Sequence, residues 1–421
     1  MTIDQLRNKK ILILGFSREG RDTFLFLRTH FPKKVIGIAD QKDSIPHLPK
    51  KGVRIYLGKN YLRALKKYEV IVKSPGIAPH TIAPFLRKSH VVTSQTAMFF
   101  KLAEGTIIGA TGTKGKSTTA SLIAKVLQSG KMQVKLIGNV GTPVLQYLNK
   151  QSPEDVFVYE LSSFQLEHVT KSPHIAVLLN LYPEHLDHHK SFAAYAKAKA
   201  NITKYQSKTD FLLYNAKDAK VAAIAKKSKA QRLPFAAKPR GSQVLKFVAP
   251  TEPAFLIGKL FGISQKKIQK TIQSFQPLPH RLERVGTFKQ ITFVNDSLAT
   301  IPESTIAALD VLGKKAETLI AGGFDRGIDY KKLGKKIEKS NLKTLILFPS
   351  TGTKILESIR KPPPHHFAKT MREAVQLCYK YTSKGKVCLL SPAASSFTMF
   401  QDYQDRGNQF KKFARYYGKK K

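Results

Sequence analysis

The stretch Thr106–Thr119, TIIGATGTKGKSTT, decides the fold of the middle of this chain. Its β-branched and apolar run, Thr106–Ala110, leads into a glycine-rich loop, and a helix is predicted from there to about Gln128 with Gly130 as its C-cap. Backbone N–H groups of such a loop and the N-terminus of the following helix bind phosphate oxygens. The predicted nucleotide-binding residues are Gly112, Thr113, Lys114, Gly115, Lys116, Ser117 and Thr118, with Lys116 on the β/γ-phosphates and Ser117 on Mg²⁺. Because Ala110 stands where the strict pattern has glycine, a plain tight turn is the alternative.

Length and composition describe a globular chain of two to four domains. It has 421 residues, of which 42% are hydrophobic and 24% charged. No apolar run approaches the roughly 20 residues of a membrane helix. The first residues, MTIDQLRNKKILILGF, run into a glycine turn, so we expect no signal peptide. Two cysteines, Cys378 and Cys388, exclude a disulfide framework and favour a reducing cytoplasm.

The charge balance is strongly basic. The formal net charge is +44, from 72 Lys and Arg against 28 Asp and Glu. Such a field attracts polyanions, so a nucleic-acid-stimulated ATPase with this phosphate loop is one possible function. The lysines are spread along the whole chain, however, and a diffuse surface bias explains the charge as well.

Short apolar runs alternate with amphipathic stretches, which predicts the α/β class with mostly parallel sheets. The predicted strands are Ile11–Leu14, Val35–Ala39, Val70–Lys73, Thr106–Ala110, Val156–Glu160, Ile175–Asn180, Phe211–Tyr214, Thr318–Ile320, Thr344–Phe348 and Val387–Leu390. The polar segment Lys226–Gln243 is predicted to be a surface excursion, and Pro277–Pro279 a domain hinge.

The first 98 residues contain a second nucleotide-binding pattern. Strand Ile11–Leu14 meets the glycine turn Gly15–Gly20, and the next strand ends at Asp40, an acidic residue typical of ribose or base contacts. Ser17 replaces the middle glycine of the dinucleotide pattern, so we expect a nucleotide other than a hydride-transfer cofactor. A third turn at Ser74 closes another strand at the same predicted edge.

Polar side chains follow two further strands. Glu160 ends strand Val156–Glu160 and is a natural Mg²⁺ ligand beside a phosphate loop. The strand Ile175–Asn180 runs into a histidine-rich segment, Tyr182–His189, which is either a metal site or simply a polar loop. The alanine-rich helix predicted at Phe192–Ile202 carries Lys197 and Lys199, by default solvated charges.

Several sequence blocks, in order, resemble the Mur ligase family, whose members build the peptide stem of bacterial cell-wall precursors. The blocks are TGTKGKSTT, GNVGTP, YELSSFQLE, NLYPEHLDHH, AKAKANI, LPHRLE, NDSLAT, AGGFDRG and SPAASSFTMFQDYQDRGNQF. The later blocks are similar to those of the members that add D-glutamate to UDP-N-acetylmuramoyl-L-alanine. The resemblance covers nearly the whole chain and is weak from about 203 to 275.

The resemblance implies three domains: a Rossmann-like UDP-sugar-binding domain at 1–98, a central ATP-binding domain at 99–280 and a Rossmann-like amino-acid-binding domain at 281–421. It implies a cytoplasmic, monomeric enzyme of peptidoglycan precursor synthesis that uses ATP and two Mg²⁺ sites. Its substrates would be UDP-N-acetylmuramoyl-L-alanine and D-glutamate, joined through an acyl phosphate.

The resemblance also assigns roles to single residues. Lys116 would touch the γ-phosphate, Ser117 and Glu160 would ligate the first Mg²⁺, and His185 the second. Lys199 matches a lysine that the family carbamylates, with Lys197 as the rival if the register is off. The remaining matches are Ser17, Arg18, Asp40, Ser74, Asn139 and Ser162 for the UDP-sugar, Arg281 and Asp296 for ATP, and Thr300, Arg326, Ser396 and Tyr403 for D-glutamate.

The chain departs from the family pattern at two places. Leu298 stands where the pattern has lysine, and the stretch 247–252 lacks the Asn-x-x-Asn pair that contacts adenine. Three alternatives therefore stay open: a family member that adds another amino acid, the nucleic-acid-stimulated ATPase, and a non-catalytic binder.

Overall fold

Three sheets of mostly parallel strands organise the chain. The computed structural model describes residues 3–138, 144–236, 251–275, 278–397 and 399–419. These residues form two compact units, Met1–Phe275 with two of the sheets and Gln276–Lys421 with the third. This arrangement confirms the α/β class.

The first sheet consists of five parallel strands in the order β3-β2-β1-β4-β5. Its strands are β1 (Ile11–Leu14), β2 (Ile36–Asp40), β3 (Val53–Leu57), β4 (Val70–Lys73) and β5 (Val91–Thr93). The central strands β1 and β4 are buried along their whole length, which explains their continuous apolar runs. Because the strands are parallel, the turns after β1, β2 and β4 lie at one edge of the sheet.

The middle sheet has six parallel strands in the order β11-β10-β9-β6-β8-β7. Its strands are β6 (Thr106–Thr111), β7 (Val134–Gly138), β8 (Val156–Glu160), β9 (Ile175–Leu178), β10 (Phe211–Asn215) and β11 (Gln231–Phe235). The helix Lys116–Ser129 follows β6, buries its apolar side chains against the sheet and is C-capped by Gly130, as predicted. The register pairs Ala110 of β6 with Glu160 of β8.

The third sheet has six strands in the order β12-β13-β17-β14-β15-β16. Its strands are β12 (Glu283–Phe288), β13 (Ile291–Asn295), β14 (Ala316–Gly323), β15 (Thr344–Ser350), β16 (His365–Phe367) and β17 (Val387–Leu390). Only β12 and β13 pair antiparallel, through a hairpin whose Lys289 and Gln290 both have positive φ. The other pairs are parallel.

The helices cover the sheets and lie between strands in the sequence. The α-helices are Ile3–Arg7, Arg18–His30, Pro79–Ile82, Gln95–Leu102, Lys116–Ser129, Ser163–Leu166, Leu186–His189, Phe192–Lys204, Ala219–Lys226, Glu252–Leu260, Gln265–Ser274, Pro302–Leu312, Lys331–Glu338, Thr351–Glu357, Met371–Tyr381 and Tyr403–Lys419. Among these described helices, none has the length and apolar character needed to cross a bilayer.

All ten predicted strands are present, and some of them begin or end at a neighbouring residue. One prediction about a loop segment is wrong. The segment Lys226–Gln243, predicted to be a surface excursion, contains the edge strand β11. This edge strand is exposed along much of its length, so its sequence QRLPF is largely polar and lacks the apolar run by which we predicted strands. The unit boundary after Phe275 falls next to the predicted hinge, whose Pro277 lies outside the described residues. The predicted domain boundary near residue 98 stays a prediction.

Candidate active site

The phosphate loop between β6 and its helix is held tightly against the end of β9. Gly115 has φ +86°, which favours glycine, and a Cβ at Gly112 would lie 2.8 Å from the Leu179 Cβ. The Lys114 backbone N–H donates to Asn180 Oδ1 at 2.8 Å, and Asn180 Nδ2 donates to the Lys114 carbonyl at 3.0 Å. These contacts hold the backbone of the loop in place.

Side chains of the loop are also engaged with the segments around it. Lys116 Nζ donates to the Thr113 carbonyl at 2.9 Å. Lys114 Nζ forms an ion pair with Glu184 Oε1 at 2.7 Å, and the Thr113 hydroxyl lies 2.9 Å from the Tyr195 hydroxyl. Lys116 is thus folded back over its own loop.

Glu160 ends β8 immediately beside the loop, as its pairing with Ala110 requires. Its side chain is buried, and its Oε2 has no hydrogen-bond partner among the described residues. Buried oxygens without a partner are rare and point to a missing ion or water. The Ser117 hydroxyl, at the start of the helix, is also buried. A carboxylate and a hydroxyl are oxygen ligands of the kind that Mg²⁺ takes.

Lys199 is buried beside the same loop, whereas Lys197 on the same helix is exposed. Lys199 Nζ donates to the Thr111 hydroxyl at 3.1 Å. Burial lowers the pKa of Lys199 well below its usual range, the positive charge of Lys116 lowers it further, and Glu184 and Glu160 oppose the shift. The environment therefore favours the neutral amine, which is the nucleophilic form of lysine.

His185 lies at the border of this site with a half-exposed ring. Its backbone is left-handed, with φ +57°, and its Nε2 lies 3.9 Å from Glu184 Oε2. Since Glu184 also pairs with Lys114, the His185 turn is linked to the phosphate loop. The ring packs on Phe164, with centroids 4.8 Å apart.

The turns of the first sheet line a cavity of about 570 Å³ that contains four predicted residues, Ser17, Arg18, Asp40 and Ser74. The two oxygens of Asp40 accept hydrogen bonds from the backbone N–H groups of Phe16 and Lys42. Ser74 Oγ donates to the Gly15 carbonyl at 2.9 Å, and a Cβ at Gly15 would lie 2.7 Å from that hydroxyl.

The two remaining residues predicted for the UDP-sugar are Ser162 and Asn139. Ser162 is not among the residues that line the cavity; it caps the helix Ser163–Leu166 through a capping box with Gln165. Asn139 lies outside the described residues.

Sequence reasoning missed Glu19 and Gln165, which face the same cavity. Gln165 Nε2 donates to Glu19 Oε1 at 3.0 Å, and burial raises the pKa of Glu19. Glu19 lies inside the glycine turn Gly15–Gly20 and Gln165 inside the block YELSSFQLE, so their positions within known motifs were the available signal.

In the second unit, Asp296 follows β13 and is held by two donors. The Leu282 backbone N–H donates to Oδ1 at 3.1 Å, and Ser391 Oγ donates to Oδ2 at 2.8 Å. Burial raises the pKa of Asp296 to about 7, against the lowering effect of these bonds and of the Arg281 charge. The charge of Arg281, the other residue predicted for ATP on this unit, therefore acts on the Asp296 carboxyl.

Of the four residues predicted for D-glutamate, three lie in loops of this unit, and Tyr403 begins the helix Tyr403–Lys419. An isolated bridge joins Phe324 to Ser395, which brings the loop of Arg326 next to that of Ser396. Arg326 is exposed and Ser396 is buried. The Tyr403 carbonyl accepts a hydrogen bond from Ser297 Oγ, in the segment that leads to Thr300.

Arg406 is a further residue that sequence reasoning missed, although it lies in the last quoted block. It is fully buried and donates to Ser297 Oγ at 3.0 Å, to the Ser297 carbonyl at 2.8 Å and to the Ala394 carbonyl at 3.1 Å. Burial lowers the pKa of Arg406 to about 9. Its guanidinium ties together the loops after β13 and β17.

These features define a nucleotide-binding α/β protein with a phosphate loop on its middle sheet. Two family models match the chain: "Mur ligase middle domain" over residues 110–253 and "Mur ligase, glutamate ligase domain" over residues 280–394. Together with the relatives described next, they show that the chain belongs to the Mur ligase family.

Similar curated proteins span the whole length. A "UDP-N-acetylmuramoylalanine--D-glutamate ligase" of Streptococcus pyogenes serotype M4 is 32% identical, covering 97% of both chains. One of the same name from Streptococcus agalactiae serotype Ia is 31% identical over the same shares. Among solved structures, the MurF ligase of Thermotoga maritima in complex with ADP has a TM-score of 0.59 at 15% identity, covering 99% of this chain and 97% of that one. The UDP-N-acetylmuramate-alanine ligase MurC of the same organism gives 0.57 at 14%, covering 97% and 99%. These structures support the fold alone.

Proposed function

We propose that this protein is an ATP-dependent ligase that adds D-glutamate to UDP-N-acetylmuramoyl-L-alanine during peptidoglycan precursor synthesis. The streptococcal relatives that carry this activity in their names match 97% of the chain. The observation that carries the proposal is the group formed by the phosphate loop, the Glu160 oxygen that has no partner in the described part of the chain, and the buried amine of Lys199.

The residues at the phosphate loop fit ATP with Mg²⁺. Glu160 Oε2 is a buried acceptor without a partner among the described residues, and a hard cation would satisfy it. The Ser117 hydroxyl, buried at the start of the helix after the loop, is a second oxygen ligand of the kind that such a cation takes. When bound, Mg²⁺ offsets the negative charge of the phosphates. We propose Ser117 and Glu160 as ligands of a first ion and His185 as a ligand of a second.

The chemistry consists of two displacements. The carboxylate of the muramoyl-L-alanine attacks the γ-phosphorus of ATP, ADP leaves, and an acyl phosphate forms. The amine of D-glutamate then attacks the acyl carbon, phosphate leaves, the amine loses a proton, and the amide bond remains. The loop N–H groups and Lys116 stabilise the phosphoryl charge during the first step. Holding the reacting groups in line supplies much of the remaining acceleration.

Lys199 contributes as a carbamate. Its neutral amine can add CO₂ to give a carbamate anion and a released proton, which turns a buried cation into an oxygen ligand of the metal site. The lowered pKa of Lys199 supports this role because only the unprotonated amine reacts. The exposed Lys197 has no such environment, so we assign the role to Lys199.

The cavity of the first sheet is the proposed UDP-sugar site. Ser17, Arg18, Asp40 and Ser74 line it, and the donors and acceptors at the ends of β1, β2 and β4 suit a nucleotide. We keep Asn139 and Ser162 as contacts of the sugar or of the reacting carboxylate.

On the second unit, Arg281 and Asp296 are proposed contacts of ATP. Thr300, Arg326, Ser396 and Tyr403 are proposed contacts of D-glutamate, whose carboxylates an arginine can bind through two parallel hydrogen bonds. The domain limits 1–98, 99–280 and 281–421, a cytoplasmic location and a monomeric state complete the proposal.

The test is amide formation by the purified protein. With UDP-N-acetylmuramoyl-L-alanine, ATP and Mg²⁺, we expect phosphate release that depends on D-glutamate and a product heavier by one glutamyl residue in mass spectrometry. Lys116→Ala should be inactive with its fold intact, as circular dichroism would check. Ligation by this variant at the normal rate would contradict the mechanism.

The same assay decides the alternatives. Phosphate release with L-alanine on the acceptor without its alanine, and none with D-glutamate, would make the protein a different member of the family. Nucleic-acid-stimulated hydrolysis of ATP with a steep salt dependence would favour the ATPase that the net charge suggests. Absence of both activities would leave a non-catalytic binder.

A further inference from the structure

Three metal-binding side chains meet at a place that the proposed ligase chemistry does not use. Glu167 follows the helix Ser163–Leu166, and His188 and His189 end the helix Leu186–His189. His188 Nε2 lies 2.8 Å from Glu167 Oε1, and His189 Nδ1 lies 3.5 Å from the same oxygen. One ligand atom from each residue lies within 4.8 Å of the other two.

The three side chains are buried and held in ligating positions. Their exposed fractions are 8% for Glu167, 7% for His188 and 3% for His189. His189 Nε2 makes a 2.9 Å hydrogen bond with Ser163 Oγ, which leaves Nδ1 facing Glu167. Metal-bound histidines characteristically use their second nitrogen in this way, and the partner fixes the orientation of the ring.

The surroundings leave one oxygen of Glu167 for the histidines and room for a further ligand. Lys73 Nζ lies 3.4 Å from Glu167 Oε2, whereas His188 contacts the other carboxylate oxygen, Oε1. Since Lys73 offsets part of the carboxylate charge, the two imidazoles must supply much of the affinity, which favours Zn²⁺ over Mg²⁺. A cavity of about 390 Å³, lined also by His80 and Asn201, adjoins the cluster.

We propose that Glu167, His188 and His189 bind a Zn²⁺ ion, with the fourth coordination position open to this cavity. Two histidines and a glutamate are a known zinc ligand set. Its three ligands differ from the proposed Mg²⁺ ligands Ser117, Glu160 and His185, and His185 lies in the turn just before His188. An ion here fastens the end of the helix Ser163–Leu166 to the turn that carries His185, so it stabilises this part of the first unit.

The experiment measures Zn²⁺ binding by the full chain, purified without a histidine tag, treated with a chelator and kept in excess Mg²⁺. We expect one Zn²⁺ per chain by calorimetry and a higher melting temperature with Zn²⁺. Co²⁺ in place of Zn²⁺ should give the visible absorption of a low-coordinate nitrogen and oxygen site. These readouts need no nucleotide and no ligase activity, so they are independent of the proposed function.

Variants locate the ion. His188→Ala and His189→Ala should each weaken Zn²⁺ binding more than about tenfold, and Ser163→Ala, which removes the partner of His189, by about tenfold. His365→Ala, at an exposed histidine of the second unit, is the matched control and should bind as the wild type does. His188→Gln, closer in size and polarity, replaces His188→Ala if circular dichroism shows that variant unfolded.

Two results would overturn the proposal. One is a wild-type protein that binds no Zn²⁺ in excess Mg²⁺ and gives no Co²⁺ absorption. The other is Zn²⁺ binding of unchanged strength in folded variants of both His188 and His189.

Discussion

Two buried basic side chains, Lys199 near the middle sheet and Arg406 in the second unit, differ in the number of hydrogen bonds that they donate. Lys199 donates one hydrogen bond, to the Thr111 hydroxyl. Arg406 donates three, to Ser297 Oγ and to the carbonyls of Ser297 and Ala394. Burial lowers the pKa of both side chains. The consequence for the charge is greater for the lysine, because its pKa is lowered well below its usual range.

The difference teaches what burial does to a cation. Arg406 keeps its charge at neutral pH because its pKa stays at about 9, and its donors are occupied by fixed acceptors. Lys199 is driven towards the neutral amine, which has a free lone pair. Arg406 is therefore suited to hold loops together, and Lys199 is suited to take part in chemistry.

The substitution that tests this comparison with the largest expected effect is Lys199→Ala. We expect ligation to fall by about a hundredfold to a thousandfold, since the proposed carbamate ligand of the metal site is lost. Small carboxylates should restore part of the rate by replacing the carbamate. Lys197→Ala, on the exposed side of the same helix, is the control and should keep the normal rate. A Lys199→Ala enzyme of wild-type rate would remove the carbamate role.

Arg406→Leu should act on stability. The substitution leaves the buried carbonyls of Ser297 and Ala394 without donors, which costs about 3 kcal/mol in the free energy of unfolding. Urea denaturation measures this loss, and ATP binding at the phosphate loop of the first unit should persist under native conditions. Arg415→Leu, an exposed arginine of the same helix, should change stability little. Equal stability of the two variants would contradict the structural role of Arg406.

Asp296 extends the comparison to a buried acid. Its pKa is raised from 3.8 to about 7, so the folded protein binds more protons than the unfolded chain across that interval. The stability that this carboxyl contributes is fully present below about pH 4 and is lost as the pH rises through about 7.

Asp296→Asn should remove that component of the pH dependence, because the amide does not titrate. Unfolding free energies measured between about pH 4 and about pH 7 for both proteins check this. Parallel curves for the wild type and the variant would show that Asp296 does not titrate in this range.

Thr111→Val should give the smallest effect. The valine keeps the shape but removes the hydroxyl that accepts from Lys199 and donates to the Leu161 carbonyl at 2.7 Å. A hydrogen bond contributes about 1 kcal/mol, so the rate should fall by no more than about tenfold. Thr119→Val is the matched control, since the buried Thr119 hydroxyl has no hydrogen-bond partner among the described residues. If the ligation rate falls equally in the two variants, the hydrogen bond between Thr111 and Lys199 does not orient Lys199.

The motifs with strict local geometry were predictable from the sequence. The strand β6, the loop and the helix Lys116–Ser129 agree with the prediction because glycine, lysine and serine have separate physical roles there. The position of Glu160 at the end of β8 was predictable from its strand, because parallel strands deliver their last residues to one edge. The resemblance to the family suggested Ser17, Arg18, Asp40 and Ser74, and the structure brings these four to one cavity.

What the sequence could not provide depends on long-range packing. The edge strands β11 and β16 are polar or short, so no apolar run marks them. Lys197 and Lys199 are both helix lysines by pattern, and only the tertiary structure shows which one is buried. The contact of Glu167 with His188 joins residues far apart in the chain, and the histidine-rich segment alone was equally typical of a polar loop.

The hydroxyl of Ser74 fastens the turn after β4 to the carbonyl of Gly15 in the turn after β1. Neither turn can be reshaped by itself, because a side chain at Gly15 would strike that hydroxyl. Anyone wishing to reshape this pocket would have to redesign both turns together, and homologues that diverge at one should have changed at the other.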